Sequence, residues 1–328
     1  SNFSTDKFDI KRFESNNKHS LVITFKKQKN PDFFLVGHLD VVEAEKKEFR
    51  PELKNNKLYG RGAKDNKGPS AAMITLMKDF ASENKNLSVG LMLTTDEEVG
   101  GFNGINYLLN KKNYSCKLAF IPDGGNDFEI ISSEKGLIHF KLTAKGIEAH
   151  GARPFEGENA IDKIMEVYKD IKKKFPNPKN MEDWKSSLNL GTIKGGRATN
   201  IVAGEAEIYL DIRFTEEKKK EDILKEIKEI IKERARMEVI ISGNPFYTSP
   251  NNSYIIKYKK ALKEVLKREP IFKKCPTGSD ARFFSEKGIP AIITNCKGGG
   301  THGKDEWVDI DSLGSLYEIL KKFILNNF

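Results

Sequence analysis

His38 and Asp40 stand in Gly37-His38-Leu39-Asp40, directly after the apolar run Phe33 to Val36. Glu97 and Glu98 stand in Thr94-Thr95-Asp96-Glu97-Glu98-Val99-Gly100-Gly101, directly after Leu87 to Leu93. A strand that ends in such residues delivers them to a sheet edge. Imidazole nitrogens grouped with carboxylate oxygens suit divalent cations, zinc above all. Positions i and i+2 of an extended segment share a face, so Asp40 is expected to hydrogen-bond the second nitrogen of His38 and fix its tautomer. Adjacent glutamates point in different directions, so one can ligate while the other faces an activated water as general base. Asp65 lies in Tyr59-Gly60-Arg61-Gly62-Ala63-Lys64-Asp65-Asn66-Lys67-Gly68, hemmed by glycines that let the backbone pass close to a cofactor. Its two oxygens can bridge two cations. Asp123, in Ile121-Pro122-Asp123-Gly124-Gly125, follows a further strand, and His302 lies in the glycine-rich run Gly298 to Gly303. Each of these alone also suits a turn or a helix cap. Together they read as a two-metal hydrolase.

The elements that must position these groups follow from the hydrophobic pattern. Strands are expected near Leu21–Phe25, Phe33–Gly37, Leu87–Thr94 and Leu118–Ile121, with helices near Lys67–Phe80 and Asn103–Leu109 between them. Alternation of this kind predicts an α/β sheet with parallel members and functional groups at the carboxyl ends of its strands. The same grammar resumes after about residue 244, with a helix over Tyr254–Lys267, a strand at Ala291–Thr294 and a closing helix from Asp311. The middle differs. Strand-like Leu137–Ala144, Leu188–Ile193, Ala206–Phe214 and Met237–Ile241 alternate with helical stripes over Ala160–Lys173 and Glu217–Arg234. That order is β-α-β-β-α-β, a ferredoxin-like α+β unit. The expected domains are therefore a discontinuous catalytic domain, 1–136 with 244–328, and an inserted lid domain, 137–243.

Composition narrows the class. The 328 residues are 38% hydrophobic, with a net charge of +9 and 3 cysteines. No apolar run approaches the ~20 residues of a membrane span, and the first residues lack the apolar core of a signal peptide. A cytoplasmic protein without membrane contact is expected. Three scattered cysteines offer neither a disulfide framework nor a thiolate zinc site. Lysines interleave with glutamates, as in Glu216-Glu217-Lys218-Lys219-Lys220-Glu221, which marks a solvated helix face rather than a nucleic-acid surface.

The ordered motifs Gly-His-Leu-Asp-Val-Val, Tyr-Gly-Arg-Gly-x-x-Asp-x-Lys-Gly, Thr-Asp-Glu-Glu-Val-Gly, Pro-Asp-Gly and a late Gly-Thr-His resemble those of the M20 metallopeptidases. These include the ArgE/DapE-type deacylases, glutamate-releasing carboxypeptidases and PepV/carnosinase-like dipeptidases. The resemblance implies a zinc-peptidase-like catalytic domain with a central mixed sheet, plus a lid that also dimerises. It implies two zinc ions, with cobalt or manganese as substitutes. His38 and Asp123 would hold one ion, Glu98 and His302 the other, and Asp65 both, with Asp40 orienting His38 and Glu97 as general base. His150, in Lys145-Gly146-Ile147-Glu148-Ala149-His150-Gly151, resembles the lid histidine that steadies the oxyanion, and in a homodimer would act on the partner's site. Asn200, Arg213, Gly278 and Ser279 match positions that hold substrate, whereas His19 and His139 match none.

The substrate implied is a dipeptide or an N-acyl amino acid. Asp123, with Asp65-Asn66-Lys67-Gly68-Pro69 and Ser133-Glu134-Lys135-Gly136, leans to the dipeptidases. The compact lid and Gly278-Ser279-Asp280-Ala281-Arg282-Phe283 lean to acetyl- or succinyl-amino-acid deacylases. Departures from the family pattern are the short segment ahead of His38 and Glu43 in place of the usual proline. They leave a catalytically impaired metal- or peptide-binding protein as the alternative of another class.

Overall fold

The strands Phe33–His38 and Val89–Thr94 are buried along their whole length, which places them at the centre of a sheet covered on both faces. In the computed structural model, which describes residues 6–25, 28–83, 85 and 87–328, the chain divides into two compact units. One comprises Ser1–Ser133, Tyr247–Cys275 and Ser279–Phe328, the other Glu134–Phe246 and Pro276–Gly278.

The first unit is built on a mixed sheet of nine strands. Phe33–His38 runs parallel to Val89–Thr94 on one side and to Leu118–Ile121 on the other, and Ala291–Ile293 runs parallel to Leu118–Ile121. Parallel neighbours end at the same edge. With His38 opposite Thr94 and Leu35 opposite Phe120, the loops carrying Asp40, Glu97 and Asp123 leave the sheet side by side. The helices Gly68–Ser82, Ser253–Leu266 and Ile310–Leu325 contribute to one core, in which Met73, Leu76, Phe80, Tyr258, Leu320 and Phe323 are fully buried. The rings of Phe33 and Phe323 meet edge to face at 5.6 Å between centroids.

The strands Ile130–Glu134, Phe246–Tyr247 and Phe272–Cys275 of this sheet are not among those expected from the sequence, and two further features depart from the expectation. Phe8–Ser15 is a strand, paired with Lys18–Phe25 in a hairpin whose turn residues Asn16 and Asn17 have φ of 48° and 58°. Paired positive φ at both central residues is what a tight hairpin requires. The strand escaped notice because it lies at the sheet's edge, where its outward residues are charged. The second feature is a small sheet in the order Gly298–Gly299, Trp307–Asp309, Lys57–Tyr59, Glu52–Lys54. Its strands are too short and polar to show a period. Pairing Trp307 with Tyr59 nevertheless joins two segments far apart in the chain, and it sets the His302 loop beside the Asp65 loop.

The second unit is an antiparallel sheet in the order Ser187–Gly195, Glu205–Phe214, Gly136–Lys145, Arg236–Gly243. The helices Ala160–Lys174 and Lys220–Ile231 bury Ile164, Val167, Ile171, Ile223 and Ile227 in one core with Phe140, Leu142, Ile208 and Leu210. Asn159 caps the first helix, its side chain accepting from the Ile161 N–H at 2.9 Å. The second helix is shorter than the expected Glu217–Arg234, since its N-cap falls at Lys219 and its C-cap at Lys232, where φ is positive. Among the described residues no helix is long and apolar enough to cross a membrane.

The packing yields a stability prediction. Ile164 is fully buried and Glu166, two residues on, is exposed. Replacing Ile164 by alanine is expected to cost about 2–5 kcal/mol in denaturant unfolding, whereas Glu166→Ala stays within about 0.5 kcal/mol.

Candidate metal centre

His38 closes its strand with 2% of its surface exposed. Its Nδ1 lies 3.1 Å from the main-chain carbonyl of Asp40, and its Nε2 lies 2.9 Å from Oδ1 of Asp65. The nearer partner of Nδ1 is thus the Asp40 carbonyl and not, as expected, the carboxylate, whose Oδ1 is 3.5 Å away. The strand ends at His38, and past that point the facing of i and i+2 no longer sets the side chains square to one another. With Nδ1 donating to that carbonyl, Nε2 is the nitrogen that faces Asp65, donating to it while protonated and free to ligate a cation once that proton is lost. The other Asp40 oxygen, Oδ2, accepts from the Glu98 N–H at 3.1 Å, so Asp40 links the two loops.

Asp65 lies where those loops converge. Oδ1 faces His38, and Oδ2 lies 3.2 Å from Nε2 of His302. His302 Nε2 is also 3.2 Å from Oε2 of Glu98. Two groups of potential ligands result, His38 with Asp65 and Asp123, and Asp65 with Glu98 and His302. Within each, the donor atoms lie within 4.8 Å of one another. The loop owes its course to Gly62, whose φ is +86° and whose missing Cβ would lie 2.9 Å from Val41. Next to Asp65, the Asn66 side chain donates to the Pro122 carbonyl at 2.6 Å, fastening the loop to the one that carries Asp123.

Charge is the dominant property of this place. Burial, then the charge of Asp65, raises the Asp123 carboxyl to about 7. Burial, then Asp123 and Asp280, pushes Glu97 well above the usual carboxylate range. Asp280 itself is raised to about 7 by burial, reinforced by Asp96 and Asp123 against the pull of Arg282. Burial also opposes protonation of His38, yet hydrogen bonds to Asp40 and Asp65 lift it to about 12. Without a cation the pocket therefore holds protons on groups that are ordinarily ionised or neutral at pH 7. The donor set of imidazole nitrogen and carboxylate oxygen fits zinc, manganese or cobalt. Among the described residues, the buried Oδ1 of Asp280 has no hydrogen-bond partner. Glu97 belongs to neither ligand group, although it reaches Asp123 by a hydrogen bond.

The other residues singled out in the sequence are placed as follows. His150 and Asn200 belong to the second unit, both exposed, on segments joined by a bond from the Gly151 N–H to the Asn200 carbonyl at 2.7 Å. His150 Nδ1 accepts from the Ala152 N–H at 3.1 Å, which puts the imidazole proton on the outward Nε2. Arg213 grips Asp211 with Nε and Nη2, 2.9 and 3.2 Å from its oxygens, and lies 3.5 Å from His139. Gly278 falls in the second unit and Ser279 in the first, where Ser279 is 1% exposed and its Oγ accepts from the Ala281 N–H. The sequence reading missed Asp280 and Glu306. Asp280 stands inside a motif quoted for other residues, and Glu306 follows His302 by four positions.

The raised carboxyls fix the sign of a pH dependence. Asp123 and Asp280 bind protons more tightly folded than unfolded, so their contribution is complete below about pH 4 and is lost as pH rises through about 7. The melting temperature of metal-free protein is expected to fall between about pH 5 and about pH 8. Added zinc should abolish the fall and release protons on binding, since the ligands must be deprotonated. Scanning fluorimetry at several pH values, with and without zinc, checks both.

Residues 34–326 match the family described as Peptidase family M20/M25/M40. The succinyl-diaminopimelate desuccinylase of Pelagibacter ubique (strain HTCC1062) is 30% identical over 331 residues, covering 91% of this chain and 83% of that protein. Among solved structures, a tripeptidase from Staphylococcus aureus superposes with a TM-score of 0.78 at 21% identity, covering 97% of this chain and 88% of that one. A Bacillus subtilis protein described as a dinuclear metal-binding peptidase of the M20 family does so with a TM-score of 0.68 at 12% identity, covering 97% and 87%. The chain belongs to the M20/M25/M40 peptidase family and is a metal-dependent hydrolase.

Proposed function

We propose that the protein hydrolyses the amide bond of an N-acyl amino acid or a dipeptide, with Glu97 moving the proton. The observation that carries this reading is the position of Glu97, whose carboxyl is beside both ligand groups and a member of neither. Two cations held by His38, Asp65, Asp123, Glu98 and His302 would acidify a water towards a pKa of about 7 and polarise the amide carbonyl. Asp40 holds the His38 ring through its main-chain carbonyl. Glu97 takes the proton from the attacking water and passes it to the leaving amine. Burial and the neighbouring acids that raise its affinity for protons suit it to both transfers. His150, with its proton on Nε2, donates to the oxyanion that develops on the substrate carbonyl.

The desuccinylase relatives favour an N-acyl amino acid with an acidic acyl group, and the tripeptidase neighbour favours a peptide. We assign the residues 137–243 to a lid that also dimerises, so that His150 serves the partner's site. In support, the edge strand Arg236–Gly243 exposes Val239 and Ile240, and an open apolar edge invites pairing with a second copy.

Two experiments test the assignment. Glu97→Ala is expected to keep its metal, measured by elemental mass spectrometry, while turnover falls about 10²–10⁴-fold. Turnover like the wild type would remove Glu97 as the base. A panel of dipeptides and acetyl- and succinyl-amino acids, assayed with zinc, cobalt or manganese, sorts the substrate class. Stoichiometric binding of these compounds without cleavage would favour the metal- or peptide-binding alternative. For the dimer, mixing Glu97→Ala with His150→Ala protein is expected to restore activity that neither has alone, through mixed dimers with one complete site.

A further inference from the structure

One carboxylate that makes no contact with either ligand histidine organises the loop on which both ligand groups depend. Glu306 is 2% exposed. Its Oε1 accepts the N–H groups of Lys64 and Asp65, each at 2.9 Å, and its Oε2 accepts the Gly62 N–H and Nη1 of Arg61, also at 2.9 Å. The loop between Gly62 and Gly68 is not a regular helix, for Asp65 has φ −119° and ψ 86° and Asn66 φ −138° and ψ 15°. Amides in such a segment need acceptors from elsewhere, and here one side chain 241 residues distant from Asp65 supplies them. Arg61 extends the arrangement. Its Nη2 donates to the Gly303 carbonyl, next to His302, at 2.6 Å and to Oε2 of Glu48 at 3.1 Å.

The side chains of Arg61 and Glu306 are 3% and 1% exposed. Desolvation offsets most of the attraction in an ion pair buried to that degree, so it is a poor source of stability. Its distinctive contribution is direction. A planar guanidinium fork holds two partners at fixed angles where an ammonium cannot.

We propose that Glu306 and Arg61 are positioning residues of the metal centre. Glu306 sets the backbone that aims the Asp65 carboxylate at both ions, and Arg61 ties that backbone to the loop carrying His302. The proposal rests on the reading of Asp65 as the shared ligand. It separates the two residues, since loss of Glu306 disturbs both ion sites, whereas a lysine at position 61 can still pair with Glu306, which keeps its three backbone N–H bonds, and loses only the second arm to the Gly303 carbonyl beside His302.

Titration of the metal-free protein with cobalt, followed by its visible absorption and by calorimetry, tests this without recourse to activity. Wild type is expected to take two ions per chain. Glu306→Gln keeps the size of the side chain but turns an amide donor towards backbone donors. It should bind both ions about 10–100-fold more weakly, the usual cost of losing a partner that orients a ligand. Arg61→Lys should weaken only one of the two ions and alter only its part of the spectrum. Leu320→Ala, a core variant of the same unit whose apolar side chain takes no part in these hydrogen bonds, should retain wild-type cobalt affinity. Equal weakening in Leu320→Ala would attribute the effect to lost stability and overturn the proposal. Wild-type affinity and spectrum in both Glu306→Gln and Arg61→Lys would overturn it as well. Asp65→Asn is the separate control. If it too binds both ions normally, the assignment of Asp65 as shared ligand fails, whatever Glu306 does. Should Glu306→Gln not fold, the one-ion loss in Arg61→Lys decides the matter.

Discussion

The constraint on which the site depends is the crowding of carboxylates in a half-buried place. Asp65, Glu97, Glu98, Asp123 and Asp280 cannot all be ionised together there unless a cation joins them. The raised proton affinities of Asp123, Glu97 and Asp280 follow from that conflict, and a proton on His38 is a partial answer to it. A divalent ion would resolve it more completely, because it would replace the protons and bind the oxygens directly. The same crowding prepares Glu97 for its assigned task. A carboxylate that ordinarily ionises near 4 is a weak base, and one pressed upward by burial and like charge can accept a proton and return it.

Everything around the proposed ligands limits their freedom. The parallel pairing of three strands brings the loops of His38, Glu97 and Asp123 to one edge. Asp40 joins the first of these to the second through the Glu98 amide, and Asn66 joins the Asp65 loop to the third through the Pro122 carbonyl. The small sheet pairing Trp307 with Tyr59 adds the His302 loop. The Asp40 and Asn66 connections each use a polar side chain to satisfy a backbone group that loop geometry leaves without a regular partner, so hydrogen-bond satisfaction and ligand placement are served by the same bonds.

Much of this was legible in the sequence, and the reason is local. His38, Glu97 and Asp123 each follow an apolar run long enough to declare a buried strand, so their delivery to a sheet edge could be inferred from neighbours alone. Amphipathic stripes such as Ile164, Val167 and Ile171 announced the helices of the second unit in the same way. What stayed hidden depends on partners distant in the chain. The strands Lys57–Tyr59 and Trp307–Asp309 have three residues each and acquire meaning only by pairing. Arg61 and Glu306 lie 245 residues apart, and nothing near either one indicates the other. The partner of His38 Nδ1 turned on how the chain leaves its strand, which a rule for extended backbone does not describe.

The central claim is that one carboxylate, Asp65, serves two cations. Anomalous diffraction at the zinc edge from zinc-loaded crystals tests it most directly. Two peaks are expected, one within bonding distance of His38, Asp65 and Asp123, the other of Asp65, Glu98 and His302. Peaks that leave Asp65 uncoordinated, or a single peak under saturating zinc, would contradict the account.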